Sequence, residues 1–430
     1  MIQDLEQRSQ ELLDTALSRV PFYRESWRRY DPGEGHSIDE RFAALPLLTK
    51  ADMRAAFPTG LVDESRDIEQ GLEHGEIEYS FTSGTTGEKV INLWSQDWWH
   101  ASERASWQLN PALASLPYPP RQATLASSLN VGISCEEDLP MDHRIMGNLL
   151  YLNEKANLIC WRPYHLERIA AELNAWQPDV LEANPSLLAR ACWYWLDHGI
   201  EVRSPKVITF TYELPSRIGL RAIQRVFHCP LVSSYGTTET GFVMDTDADG
   251  RYRQNPEFNR IDFLPLKEEY GGPDLGRIAV STFGNPWSCI LRFDVGDLVR
   301  ISPLSGHEQG FAAASVEGRV SNSTFAADGR LITPDMADQA LSAAEGVRDY
   351  DLVQDTRGHI TLRLVAHGSA QEAIHASEEA LHRLYGSGMS CSVEAVSDLM
   401  PGPSGKYRRV HADFEFDEWA LTRDPVIASR

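Results

Sequence analysis

The chain has 430 residues, too many for one ordinary core and too few for three large ones, so one large and one small domain are expected. Hydrophobic residues at 42% and charged residues at 24% are a globular mixture rather than a disordered or fibrous one. With 40 basic against 62 acidic side chains the net charge is −22, which repels phosphate backbones and anionic lipid and argues against nucleic-acid or membrane partners. No apolar run approaches the roughly 20 residues of a membrane-spanning helix. The polar start MIQDLEQRSQ lacks the basic-then-apolar order of a signal peptide. Six cysteines stand singly, without a C-x-x-C pair, which fits a reducing cytoplasm better than a disulfide framework.

Leu5, Leu12, Leu13, Ala16, Leu17 and Val20 recur at helical spacing, and Pro21 closes that first amphipathic helix. Near residue 77 the segment EIEYSFTSGTTGEKVINLW places two β-prone stretches around a loop of glycines and hydroxyls. The middle of the chain then alternates strands (ATLASSL, PDVLEA, KVITFTYE, PLVSSYG) with helices (HLERIAAELNAW, PSLLARACWYWLDHG, SRIGLRAIQRVF). That alternation predicts parallel α/β layers covered on both faces. From about residue 250 short strands between Gly, Pro and charged turns predict a more antiparallel part. After Gly318-Arg319 a strand over Ile360–Ala366, a helix marked by Ile374, Leu381, Leu384 and Tyr385 and stopped by Gly386, and a strand in SCSVEAVS predict a small α+β domain. The expected division is a large, multi-subdomain α/β domain over 1–318 and a small mobile α+β domain over 319–430.

Five segments have the residue types for phosphate and nucleotide chemistry. Thr82-Ser83-Gly84-Thr85-Thr86-Gly87 combines backbone freedom with four hydroxyls, enough to cradle a polyphosphate without fixed positive charge. Its glycine spacing is not that of a Walker A loop, and a solvated turn is the plain alternative. Tyr235-Gly236-Thr237-Thr238-Glu239 follows a buried strand, where α/β sheets place ligands. There an aromatic ring can stack on a base, a hydroxyl can touch phosphate and a carboxylate can hold magnesium, although a capped turn explains the same residues. Asp297, in Arg292-Phe293-Asp294-Val295-Gly296-Asp297, can take two ribose hydroxyls or merely cap a turn. Gly318-Arg319 and Gly402-Pro403-Ser404-Gly405-Lys406 complete the set.

In that order these motifs resemble the adenylate-forming superfamily of acyl-CoA synthetases, adenylation domains and luciferases, over nearly the whole chain. Val20-Pro21-Phe22-Tyr23-Arg24 and Leu45-Pro46-Leu47-Leu48-Thr49-Lys50 look most like the phenylacetate–CoA ligase branch. The resemblance implies an AMP-forming ligase: a carboxylate attacks ATP to give an acyl-adenylate, and a second nucleophile, by default the thiol of coenzyme A, displaces AMP. It implies that Thr82, Ser83, Gly84, Thr85, Thr86 and Gly87 hold the β- and γ-phosphates. Thr211, Tyr212 and Glu213 would flank adenine, with Tyr235 and Gly236 beneath it. Thr238 would contact the α-phosphate and Glu239 would bind Mg2+. Asp297 would take the ribose, Arg319 would assist at the ribose or phosphates, and Lys406 would bridge the reacting oxygens. The implied partners are ATP, Mg2+, a small carboxylic acid and coenzyme A; a carrier protein and a second copy of the chain are further partners the family allows.

The chain also departs from the family pattern. Gly87-Glu88-Lys89 replaces Gly-x-Pro, Phe210-Thr211-Tyr212-Glu213 replaces a Gly-rich adenine segment, Asp294 replaces a second arginine, and Ser321-Asn322 replace the hinge aspartates. The last two of these changes fall more heavily on the second half-reaction than on the first. Trp98, Trp99, Trp107, Trp193 and Trp195 are candidates for an aryl pocket or for plain core. Amide formation, carrier-protein loading and adenylyl transfer are alternative second steps, and a non-catalytic nucleotide-binding scaffold is the alternative of another class. Lys406, Arg408 and Arg409 are the one basic patch in the motifs that an acidic carrier could use.

Overall fold

The computed structural model describes residues 2–81, 90–127, 135–306, 310–402 and 405–423. The chain forms two compact units, each assembled from separated stretches. The first comprises Met1–Pro111, Ser234–Val316 and Asp417–Arg430; the second comprises Ala112–Ser233 and Glu317–Phe416.

In the first unit the helix Ile2–Arg19 buries Leu12, Leu13, Ala16 and Leu17, as its spacing predicts. Pro21 then plays both of its helical parts, ending one helix and standing at the first turn of the next, Pro21–Ser26. The strands Glu78–Phe81 and Ile91–Trp94 pair antiparallel, so they are the two arms expected around the glycine–hydroxyl loop. The unit's main sheet runs Gly241–Thr246, Tyr252–Gln254, Ala312–Arg319, Phe293–Ile301, Leu275–Thr282, Asn259–Pro265. Its pairings are antiparallel, in keeping with the change of texture near residue 250.

The second unit holds the parallel layer. Its strands run in the order Leu149–Tyr151, Gln122–Leu125, Val180–Ala183, Val207–Phe210, followed by Leu231–Ser233, all parallel. The helices Pro163–Trp176, Pro185–His198 and Arg217–Val226 alternate with them, and Leu150, Leu181, Ile208, Leu188 and Ile223 are buried between the layers. The α+β piece has four strands in the order Ser390–Val396, His359–Ala366, Val347–Thr356, Val410–Ala412. Helices Pro334–Ser342 and Ala370–Tyr385 accompany it, and Gly386 at φ 90° ends the latter. Ile218 of the helix Arg217–Val226 shares its core with Leu352, Leu362 and Leu381. Packing therefore groups residues 317–416 with 112–233, whereas sequence texture places a boundary near 318. Which segments move together is a separate property from which segments pack together. Among the described residues no helix is long and apolar enough to cross a membrane.

Candidate active site

The first unit carries the Tyr-Gly-Thr-Thr-Glu turn. Gly236 is obligatory there: a Cβ would stand 2.2 Å from the Gly241 carbonyl oxygen, so any side chain would force the two strands apart. The turn is closed by Thr237 and Thr240, whose hydroxyls lie 2.9 Å apart while the Thr240 N–H donates to Thr237 Oγ1. Thr238 at its tip is half-buried and Glu239 beside it is buried. The Tyr235 hydroxyl donates to Asp297 Oδ2 at 2.7 Å, joining two motifs that are far apart in sequence. Asp297 is buried.

Glu239 is sparsely partnered. Among the described residues its Oε1 has no hydrogen-bond partner, and Lys50 Nζ approaches only to 4.0 Å. Lys50 opens the helix Lys50–Ala56, whose start is fixed by the reciprocal Thr49–Asp52 capping box. Magnesium is commonly held by one or two carboxylates plus substrate phosphates rather than by a protein cage. A buried carboxylate oxygen with unused acceptor capacity fits that mode. Among the described residues no three or more His, Cys, Asp or Glu side chains gather as a metal cluster.

The other acidic and basic residues of the ribose motif have structural partners. Asp294 Oδ2 accepts from Arg277 Nη2 at 2.6 Å, so the residue standing where the branch has an arginine forms an ion pair. Arg292, at φ 51°, sends its guanidinium inward to the carbonyls of Phe42, Ala43 and Leu45. Burial pushes its pKa down from the ordinary arginine value.

The second unit carries the remaining candidates. The Thr211 hydroxyl donates to Glu182 Oε1 at 2.9 Å, and Tyr212 sits at φ 74°, a left-handed conformation unusual for a bulky residue. Glu213 accepts from the Ser186 hydroxyl and, at 2.9 Å, from the Tyr407 N–H; Arg409 Nη1 stands 4.0 Å away. Burial raises the Glu213 pKa, and Arg409, Ser186, the Tyr407 N–H and Lys406 pull it back. Lys406 is thus an electrostatic neighbour of Glu213. Its loop is closed by backbone bonds from Gly402 N to Lys406 O, 3.0 Å, and from Gly405 N to Gly402 O, 2.9 Å. Arg319 ends the strand Ala312–Arg319 next to Gly318, at φ 98°, where a Cβ would meet Pro334 at 2.8 Å.

The Lys406–Arg409 run is not one basic surface. Arg409 points inward, donating to Asp349 Oδ1 at 3.0 Å and to Ser186 Oγ at 2.9 Å, while Arg408 Nε donates to Asn322 Oδ1 at 2.7 Å. Of the tryptophans, Trp107 and Trp195 are buried, Trp195 donates to the Leu166 carbonyl, and Trp98 donates to that of Phe283. Thr82, Ser83, Gly84, Thr85, Thr86 and Gly87 lie outside the described residues, as does 128–134 of the segment Ser127–Cys135.

Sequence reasoning passed over Lys50, Glu182 and Ser186. Lys50 closes the Leu-Pro-Leu-Leu-Thr-Lys motif and was legible as its lone cation. A glutamate inside the apolar strand VLEA was the available signal for Glu182.

No protein-family model matches the chain. Protein CapK of Staphylococcus aureus is 21% identical over 415 residues, covering 94% of this chain and 87% of its own. Among solved structures, 2-hydroxyisobutyryl-CoA ligase in the postadenylation state with 2-HIB-AMP superimposes with a TM-score of 0.70 at 16% identity, over 95% of this chain and 89% of that one. The amide bond synthetase McbA of Marinactinospora thermotolerans gives 0.52 at 13% identity, over 77% of this chain and 67% of that one. The phenylacetate–CoA branch is not singled out by these likenesses. What they do establish is the architecture: the chain has the mixed α/β fold, with a C-terminal α+β part, of the adenylate-forming acyl-CoA ligases.

Proposed function

We propose that this protein is an ATP-dependent, AMP-forming carboxylate ligase of the phenylacetate–CoA ligase type, acting in the cytoplasm on a small, aromatic acid. The observation that carries the proposal is the Tyr235–Asp297 hydrogen bond, because it joins the two residues that the motifs name separately for adenine and ribose. In this reading Tyr235 stacks on the base with Thr211, Tyr212 and Glu213 along its edge, and Asp297 accepts the ribose hydroxyls. Thr82–Gly87 cradle the terminal phosphates, Thr238 donates to the α-phosphate, and Arg319 supports the ribose or phosphates. Glu239 is the carboxylate that would hold magnesium, which when bound neutralises phosphate charge. Lys406, carried by the domain 319–430, stabilises the negative charge that develops as the acid's oxygen attacks phosphorus.

Coenzyme A is the acceptor of first choice. The bonds from the Tyr407 N–H to Glu213 and from Arg409 to Ser186 favour a second reading, in which the Lys406 loop stays docked and an amine takes the acyl group without a large domain rotation. Exchange of labelled pyrophosphate into ATP across a panel of aryl, amino and short-chain acids tests the activation step. Exchange that depends on one class of acid is expected. ATP binding with no acid-dependent exchange would leave a nucleotide-binding scaffold instead.

A further inference from the structure

Parallel strands covered on both faces normally carry near-continuous apolar side chains. The parallel layer of the second unit breaks that pattern in one row. Tyr151, Thr124, Glu182 and Thr209 are register partners across four adjacent strands, so they share one face near the strands' carboxyl ends. That end of an open α/β sheet is where ligands bind. Just past the fourth strand, the Thr211 hydroxyl donates to Glu182 Oε1 at 2.9 Å, and the Tyr212 phenol neighbours the same carboxylate. The left-handed turn at Tyr212 brings its phenol there, a strained conformation of the kind that collects at ligand sites.

The row is polar and incompletely satisfied. Glu182 lies deep enough that desolvation raises its pKa, yet part of its surface stays accessible, as does part of Tyr151, Thr211 and Tyr212. The row is therefore buried at Thr124 and Thr209 and partly open at Tyr151, Glu182, Thr211 and Tyr212. No lysine, arginine or histidine among the described residues pairs with Glu182. Thr124 is 4% exposed, its Oγ1 has no hydrogen-bond partner among the described residues, and it faces the same Tyr212 phenol. A buried carboxylate without a cation and a buried hydroxyl without a partner are both costly unless a ligand completes them.

We propose that this polar row receives the substituent of the acid substrate, that the substituent is a protonated amine, and that Glu182 is its counter-ion. The inference rests on the carboxylate-activating reading above. An ammonium group supplies the missing charge and three donors, which Glu182, Thr124 Oγ1 and a tyrosine oxygen can accept. The rings of Tyr151 and Tyr212 also suit a cation. A hydroxyl substituent would leave the carboxylate charge uncompensated.

The test compares α-amino acids and aminomethylbenzoates, each beside its des-amino counterpart, in acid-dependent pyrophosphate exchange by wild type and Glu182→Gln. The best amine-bearing acid is expected to exceed its counterpart about a hundredfold in kcat/KM. Glu182→Gln should collapse that preference to a few-fold by losing only the amine-bearing acid. Wild type favouring des-amino acids, or a Gln variant that keeps the preference, would overturn the inference. If no acid supports exchange, the ligase reading fails, and calorimetric titration of the same acids without ATP decides this one. Binding of an amine-bearing acid at least about tenfold tighter to wild type than to Glu182→Gln supports it; equal or absent binding overturns it. Should Glu182→Gln misfold by circular dichroism, Thr124→Val replaces it in both assays, with a several-fold loss confined to amine-bearing acids expected and an unchanged preference overturning the inference.

Discussion

Glu213 in the second unit and Glu239 in the first are both acidic residues on turns that follow a sheet strand, and they are surrounded in opposite ways. Glu213 has the Ser186 hydroxyl, the Tyr407 N–H and Arg409 around it. Glu239 has Lys50 at 4.0 Å and, among the described residues, no hydrogen bond to Oε1. A carboxylate whose acceptor positions are taken fixes a loop in place; one with positions unused is available to something that binds. The contrast separates an anchor from a candidate ligand, where the family resemblance implies that Glu213 flanks adenine and that Glu239 binds Mg2+.

The anchor is expected to give the largest response. Arg409→Ala leaves Glu213 and Asp349 facing each other without their shared cation, and stranding a buried charge costs about 3–5 kcal/mol. Chemical denaturation should show a loss of that size, and Glu213→Gln in the same chain should recover part of it. A loss under about 1 kcal/mol would mean that Arg409 is no anchor.

Lys406 neighbours Glu213 but makes the opposite prediction, a loss of rate with little loss of stability. Lys406→Ala should slow adenylate formation by two or more orders of magnitude, about 3 kcal/mol, while ATP binding is nearly unchanged. Transfer from a synthetic acyl-adenylate should largely survive. Normal adenylation by this variant would remove Lys406 from the proposed mechanism.

Glu239→Gln sharpens the contrast from the other side. Because so little holds the side chain, folding stability should change by less than about 1 kcal/mol. Acid activation should nevertheless fall about a hundredfold, or roughly 2.7 kcal/mol, through lost metal affinity. Unchanged activity at saturating magnesium would give Glu239 a structural role instead.

The sequence was most informative where periodicity or chain order carries the message. The α/β alternation, the first helix with Pro21 at its end, and the helix stopped by Gly386 all follow from local rules. Gly236 is explained by the structure instead, where the Gly241 carbonyl comes too close for any side chain. What local rules do not contain is long-range pairing. Nothing near Glu213 announces Arg409, and nothing near Tyr235 announces Asp297. The boundary near 318 marks a change of texture at Gly318, whereas packing is decided by contacts such as Arg217 with Asp335 and Asp338, which no window of sequence spans.

Asp245 extends the comparison to a third kind of buried carboxylate, held by hydroxyls alone, and its predicted effect is on stability alone. Ser234 and Ser106 donate to its two oxygens at 2.5 and 3.0 Å. Hydroxyls offset burial only in part, and desolvation pushes its pKa up to about 6 from 3.8. Below pH 3.8 the group is protonated whether the chain is folded or not and contributes nothing. Between those two values the unfolded chain loses the proton first, so stability falls as pH rises. Above about pH 6 the penalty is complete and constant, about 3 kcal/mol. Asp245→Asn keeps the shape without the charge, so it should stabilise the protein at pH 7 by about that amount and be neutral near pH 4. Urea denaturation of both proteins across that range reads the difference directly. A variant less stable than wild type at pH 7 would show that the ionised carboxylate is needed where it stands, and would move Asp245 from the group of tolerated charges to that of anchors.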